Sequence, residues 1–223
     1  MKIAQQSVAL LDHCGDDLSV VNAARVSFDK KSEFEHDDLL DKNNLSTKDA
    51  KLVNYLAKHK HKSPFNHCFM SFRVKAPIFV ARQLVKHEYL PWNEVSRRYV
   101  TDEPEFYFPE YWRKKADNVK QGSSDEAIPF VADPSKVATA QCLSAYHTML
   151  TSGVCAEQAR MVLPQNTMTE WIWSGTLFAF AKMCKLRLDA HTQRETQEIA
   201  KMVSKHAEFL YPVSWKALME YGE

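Results

Sequence analysis

The segment spanning residues 61–100, HKSPFNHCFMSFRVKAPIFVARQLVKHEYLPWNEVSRRYV, changes its hydrophobic period along its length. Residues 67–75 alternate, with Cys68, Met70, Phe72 and Val74 on one side, which predicts a strand with one buried face. Pro64 lies in a turn ahead of it. Pro77 suits the first turn of a helix, and the apolar run APIFVARQLV carries that predicted helix to about Glu88. A turn with Pro91 follows. From Arg82 to Tyr99 the polar side chains are dense: Lys86, His87, Glu88, Asn93, Glu94, Ser96, Arg97 and Arg98. Burying such a set is costly unless it lines a cavity or holds a ligand. A surface loop with incidental charges is the other reading, although the interleaved Trp92, Val95 and Tyr99 argue against full exposure. Ser96 followed by two arginines can offer a phosphate a hydroxyl, a backbone N–H and a bidentate guanidinium.

Outward from this segment, residues 2–11 read as a strand ending in the turn His13–Asp17. Leu18–Phe28 follows an aspartate cap with helical spacing. Residues 29–44 are mostly charged and read as a solvated loop. Ser46 and Thr47 cap a helix running through Lys60. Residues 110–127 form a polar excursion containing Gly122, Ser123 and Ser124. Helical patterns then cover 134–151, 155–163, 176–187 and 191–208, with a short last helix after Pro212. The expected architecture is α+β: one helix-rich domain over residues 1–223, with its strands concentrated in the N-terminal half.

Composition narrows the function. The 223 residues carry 29 Lys and Arg against 28 Asp and Glu, a net +1, so no net field draws the chain to nucleic acid or an anionic membrane. Any anion it binds must be small and locally caged. Glycine occurs 5 times, where average usage is about 7%. No GxGxxG or GxxxxGK phosphate loop can be written from glycines this far apart. The five cysteines never stand as CxxC, which excludes a disulfide framework or cysteine-rich zinc site and predicts small buried apolar side chains in a reducing compartment. The opening MKIAQQSVALLDHCGDD has no secretory apolar stretch, and no run reaches membrane-spanning length. A cytoplasmic protein is expected. His59, His61 and His67 lack the helical i,i+4 pair or carboxylate of a metal site, so no metal is expected. Arg160, before Val162-Leu163-Pro164, reads as a structural ion pair or a ligand contact. A further polar group, Leu186-Arg187-Leu188-Asp189-Ala190-His191, leaves the apolar stretch FAFAKMC.

Residues 61–100 resemble the signature region of the flavin-dependent thymidylate synthases (the ThyX family). The family hallmark is Arg-His-Arg, seven residues, then Ser. Here Lys86-His87-Glu88 stands seven residues before Ser96, with Asn93-Glu94 placed as in the family. EQARMVLPQN, TEWIWSGTLF and LRLDAHTQRETQ, within residues 157–197, extend the resemblance over most of the chain. It implies synthesis of dTMP from dUMP, with methylenetetrahydrofolate as one-carbon donor and NADPH reducing a bound FAD. It also implies a homotetramer whose active sites are built from several subunits. The implied dUMP contacts are Gln83, Lys86, Glu94, Val95, Ser96, Arg97, Arg98, Arg160 and Arg187. Of these, Ser96, Arg98 and Arg160 would cage the phosphate, and Arg187 would be the catalytic cation on the uracil. The implied FAD contacts are Ser63, Lys86, His87, Glu88, Glu94, Thr176, Phe178, Lys182 and His191. No cysteine nucleophile is implied.

The departures from the family cluster on the flavin side. Glu88 stands where the family has an arginine, Asn66 where it commonly has Glu, and Thr176, Phe178 and Lys182 where it commonly has Asn, Arg and Asn. Three readings follow: FAD held by a rearranged contact set, a related one-carbon transfer such as hydroxymethylation of a pyrimidine nucleotide, or a nucleotide-binding homologue without flavin. Glu88 would repel a diphosphate unless its neighbours compensate, and Lys182 is the candidate to supply that positive charge from another direction.

Overall fold

The computed structural model describes residues 1–37, 42–117 and 122–221. In chain order, β1 (Lys2–Ile3) and β2 (Ser7–Cys14) lead into α1 (Asp17–Arg25). The hairpin β3 (Glu35–Asp37) and β4 (Lys42–Asn44) precedes α2 (Thr47–Lys58). A 3-10 turn at Ser63–His67 opens β5 (Phe69–Pro77), which runs directly into α3 (Ile78–Leu84). Next come β6 (Trp92–Glu94), β7 (Glu105–Phe106), β8 (Trp112–Lys115) and β9 (Ser123–Ile128), then α4 (Pro134–Thr151) and α5 (Ala156–Ala159). Last are β10 (Met168–Thr176), α6 (Leu177–Arg187), α7 (Arg194–Leu210) and α8 (Pro212–Tyr221). The α+β expectation holds.

A four-stranded antiparallel sheet in the order β2-β5-β10-β6 organises the molecule. The alternation read over residues 67–75 is what the structure uses: Cys68, Met70, Phe72 and Val74 are fully buried. Their side of the sheet packs on Phe180, whose ring meets Phe72 edge-on at 5.1 Å and Trp173 at 5.3 Å. Helices cap as their sequences predict. Asp16 and Ser19 form a reciprocal capping box on α1, and the Ser46 hydroxyl accepts the Asp49 N–H on α2. The amphipathic α7 buries Thr196, Ile199, Ala200, Val203 and Ala207, one stripe at helical spacing. A smaller cluster, centred on Phe106, Phe108, Leu143, Tyr146 and Ala159, packs α4 and α5 on the far side.

The structure corrects several expectations. Strands are concentrated in the first half as expected, but β10, in the second half and not read from the sequence, pairs along all nine of its residues with β5. Its short apolar sequence MTEWIWSGT fits a buried strand as well as a helix segment, so periodicity alone leaves it unassigned. The helix after Pro77 stops at Leu84, because Pro91 and the turn at Tyr89 (φ 59°) draw the chain back into β6. The helix expected over 155–163 is one turn of α-helix followed by a 3-10 turn, and α7 begins at Arg194 rather than 191. Residues 29–44 and 110–127 contain the paired strands β3–β4 and β8–β9; residues 38–41 and 118–121 of these stretches lie outside the described residues. Cys68 and Cys184 are buried as expected, but Cys14 and Cys155 are exposed. Tyr99 is exposed as well, since its ring extends beside the Arg98 guanidinium instead of into the core.

Gly175 on β10 shows how tightly the segment after α3 is held. A Cβ there would collide with the Leu90 side chain and come within 3.1 Å of the Tyr89 carbonyl. Gly175→Ala is therefore expected to push the 86–91 segment off the sheet and to cost about 1–3 kcal/mol. For a chain of this length that lowers Tm by about 2–4 °C for each kcal/mol. Calorimetry on the variant checks it, and an unchanged Tm would mean that Leu90 swings clear without strain.

Candidate active site

Arg187, the last residue of α6, lies where the C-terminal ends of two helices meet. Its Nη2 donates to the Gln83 carbonyl at 2.8 Å, and its Nε donates to His87 Nε2 at 2.9 Å. The Gln83 carbonyl is one of the acceptors that the end of α3 leaves without a helical partner. A helix C-terminus also favours a cation. Burial pulls the Arg187 pKa below its ordinary value, but a guanidinium has so much margin that it stays charged near neutrality. Nη1 makes no hydrogen bond among the described residues.

His87 is half-buried, and its pKa is lowered to about 4, by burial first and then by the Arg187 and Lys182 charges. The neighbouring Gln83 is gripped from two sides: it donates to Gln193 Oε1 at 2.7 Å and accepts from the Thr196 hydroxyl at 3.1 Å. Gln83, Lys86, Arg187 and His191 all line one open cleft of about 1510 Å³. Arg82, Arg113, Arg194 and Lys201 add cations to its wall, against the carboxylates Asp125 and Asp189. His191 is exposed there, its ring Nδ1 3.0 Å from Asp189 Oδ1.

The residues expected on the flavin side string out along α6 and the turn before β5. Thr176 caps α6, accepting the Ala179 N–H at 3.2 Å while its hydroxyl meets Asn66 at 2.8 Å. Phe178 lies one turn before Lys182, with the Lys62 ammonium 5.3 Å from its ring. Ser63 opens the 3-10 turn beside them and is exposed. Lys182 Nζ lies 3.9 Å from the carboxylate of Glu88, the anion that departs from the family hallmark.

Ser96, Arg97, Arg98 and Arg160 come together elsewhere, and none of them lines the large cleft. Pairing of β6 with β10 brings the loop after Glu94 across the sheet, where Val95 N–H bonds the Glu170 carbonyl at 2.9 Å. There Arg98 Nε lies 3.6 Å from the Glu157 carboxylate, and Arg160 Nε donates to the Glu157 carbonyl at 3.3 Å. Ser96 Oγ accepts the Arg98 N–H at 3.3 Å, and Arg97 donates to the Asp102 carbonyl. The Glu94 carboxylate is occupied, by the Thr169 hydroxyl at 2.6 Å and the Trp92 indole N–H at 3.0 Å. The chain thus presents two clusters: an Arg187 cleft and a Ser96–Arg98–Arg160 patch.

Two elements of the cleft were not identified from sequence. Arg113, on β8, donates to Ser123 at 2.7 Å and pairs with the buried Glu195 of α7 at 2.9 Å. Nothing in the charged stretch 110–127 distinguishes it from its neighbours. Gln193 lies inside the LRLDAHTQRETQ block, and its contact with Gln83 comes from the fold.

Comparison with known proteins places these features. Residues 9–213 match the family described as thymidylate synthase complementing protein. The flavin-dependent thymidylate synthase of Thermus thermophilus is 36% identical over 219 residues, covering 96% of this chain and 76% of that protein. The enzyme of that name from Pseudothermotoga lettingae is 34% identical over 214 residues, covering 96% and 90%. Among solved structures, the UMP/dUMP methylase PolB from Streptomyces cacaoi, bound with 5-Br dUMP, superposes with a TM-score of 0.83 at 29% identity, covering 100% of this chain and 98% of that one. With the Arg187 cleft and the Ser96–Arg98 loop standing on this shared sheet, the chain belongs to the flavin-dependent thymidylate synthase family.

Proposed function

We propose that this protein makes dTMP from dUMP, taking the one-carbon unit from methylenetetrahydrofolate and reducing equivalents from NADPH through bound FAD. The observation that carries the reading is Arg187: a charged guanidinium held by two acceptors in a half-buried position, with Nη1 left for a ligand. Set against a uracil carbonyl, that N–H pair stabilises the negative charge that builds on the ring as C5 becomes nucleophilic. A cation fixed in advance in a poorly hydrated site does this at little reorganisation cost. Lys86 and Gln83 flank the same cleft and suit contacts to the nucleotide.

The cleft also fits FAD. Its cationic surplus matches a diphosphate, and Glu88 stands outside its lining, beside Lys182. Both of those side chains are more than half exposed, so solvent screens their pairing to at most about 1 kcal/mol. Lys86 and His191, which line the cleft, would hold the cofactor there, and Ser63, Thr176, Phe178 and Lys182 along α6 and the turn before β5. The flavin, when bound, supplies the hydride that reduces the one-carbon unit. Hydroxymethylation and a flavin-less homologue draw less support, given relatives named as flavin-dependent synthases.

Phosphate binding falls to Ser96, Arg98 and Arg160, which stand apart from the Arg187 cleft. A homotetramer in which one subunit's patch closes over another's cleft accounts for the division. Both clusters are ringed by exposed apolar side chains, Val85, Tyr89 and Leu186 at one and Val95, Tyr99 and Met161 at the other, as an interface requires. Free cysteines and a chain with no helix long and apolar enough to cross a membrane, among the described residues, suit work in the cytoplasm.

Three measurements check this reading. Arg187→Ala is expected to lower turnover about a hundredfold, roughly 3 kcal/mol, with the fold retained, and Arg187→Lys to behave alike because an ammonium lacks the planar fork. Near-normal dTMP formation by either variant sinks the role. Ser96→Ala and Arg98→Ala should each raise the dUMP requirement about tenfold, seen as weaker dUMP binding by calorimetry. Glu88→Gln should leave stability within about 0.5 kcal/mol of the parent while tightening FAD binding, followed by flavin fluorescence.

A further inference from the structure

The Arg187–His87 contact contains a constraint on protonation. An arginine Nε carries only a donor hydrogen, so the ring nitrogen 2.9 Å away must bring a lone pair. A protonated imidazole, or one with its hydrogen on Nε2, would point N–H at N–H. The ring is therefore neutral with its hydrogen on Nδ1. The charged groups around it agree: α6 presents Arg187 and Lys182, and the ring's own segment presents Lys86 and Glu88, with Glu88 turned to Lys182. Burial and those two α6 cations lower the His87 pKa to about 4.

We propose that His87 is a positioning residue for Arg187: its Nε2 lone pair and the Gln83 carbonyl together clamp the Nε–Nη2 side of the guanidinium so that Nη1 is presented to the pyrimidine ring. This rests on the thymidylate synthase reading and gives the residue a different task from the flavin contact that the resemblance implies. Of the two acceptors, the Gln83 carbonyl is fixed by the end of α3. His87 is fixed by the tight segment that Leu90 and Tyr89 press against Gly175. The guanidinium plane is thereby set by the backbone through two independent routes. Loss of one route leaves Arg187 free to rotate about the other, and displacement of a reacting group by about 1 Å can cost about a hundredfold in rate.

The test joins kinetics to a tautomer measurement on the FAD-loaded protein. His87→Leu removes the acceptor, and kcat should fall about a hundredfold at saturating FAD and dUMP, with FAD affinity changed less than threefold. His87→Gln, whose side-chain oxygen reaches the position of Nε2, should recover most of that rate and shows that a folded site remains. In ¹⁵N-histidine NMR, assigned by difference from His87→Gln, His87 should be the Nδ1–H tautomer at pH 7 and stay neutral down to about pH 5. In Arg187→Ala its titration should move back toward the ordinary histidine range. Full activity of His87→Leu at saturating FAD would mean that the residue serves the flavin alone, and an Nε2–H or charged ring at neutral pH would equally overturn the proposal. Failure of the unaltered protein to make dTMP, with the tautomer as described, would instead overturn the functional reading and leave the clamp standing.

Discussion

The pairing of β5 with β10 sets the position of almost every group discussed above. Each strand passes into a helix without an intervening loop, β5 into α3 at Ile78 and β10 into α6 at Leu177. Because the strands are antiparallel and in full register, Pro77 opposite Met168 and Thr176 opposite Phe69, the two helices start from opposite ends of the sheet. They fold back over it and approach each other by their C-terminal ends. Arg187 bonding to Gln83 and His87 is the point of meeting. A one-residue slip in the ladder would turn the buried tryptophans outward and carry the end of α6 away from α3. The core and the cleft thus share one determinant.

That meeting point is electrostatically apt for a cation. Two helix C-termini direct their unpaired carbonyls toward it, and each favours positive charge by up to about 1 kcal/mol. Among the described residues Arg187 has no carboxylate partner, and it can be half-buried because carbonyl and imidazole acceptors replace the water it loses. A carboxylate there would bind the guanidinium more tightly and neutralise it, which would defeat its use toward a ring that gathers negative charge. Neutral acceptors hold the group and leave its charge available. The same arrangement keeps His87 uncharged, since a cation beside a cation would gain nothing from either helix end.

The sequence discloses those parts of the fold whose signal is local. The face made by Cys68, Met70, Phe72 and Val74 follows from alternation, and Asp16 and Ser46 declare their helices by capping chemistry. Strand β10 does not declare itself, because Trp171, Ile172 and Trp173 are consecutive apolar residues and carry no period. The stacking of Trp92 on Trp171, at 4.1 Å, depends on a partner far away in the chain. The exposed Cys14 and Cys155 have the same composition signal as the buried Cys68 and Cys184. In the site, resemblance names Arg187, whereas the clamp on it joins residues about a hundred positions apart and can only be found in three dimensions.

The hallmark segment itself is divided by the fold. His87 and Glu88 face α6 and Lys86 lines the cleft, while Arg98 faces Glu157, which Arg160 also bonds, and β6 carries the chain from one place to the other. The fixed spacing between the two halves of the motif is thus the span needed to cross the sheet, three residues of it spent pairing with β10. Within one protomer such a spacing would separate a nucleotide's base contacts from its phosphate contacts. On the shared-site proposal it does something else: each copy would contribute one end of its motif to one site and the other end to the next. On the shared-site proposal, Glu88 and Lys182 are tolerated together because their exchange of charge is confined to the α6 end. The Ser96 end, serving a different copy's site, is under no pressure to change with them.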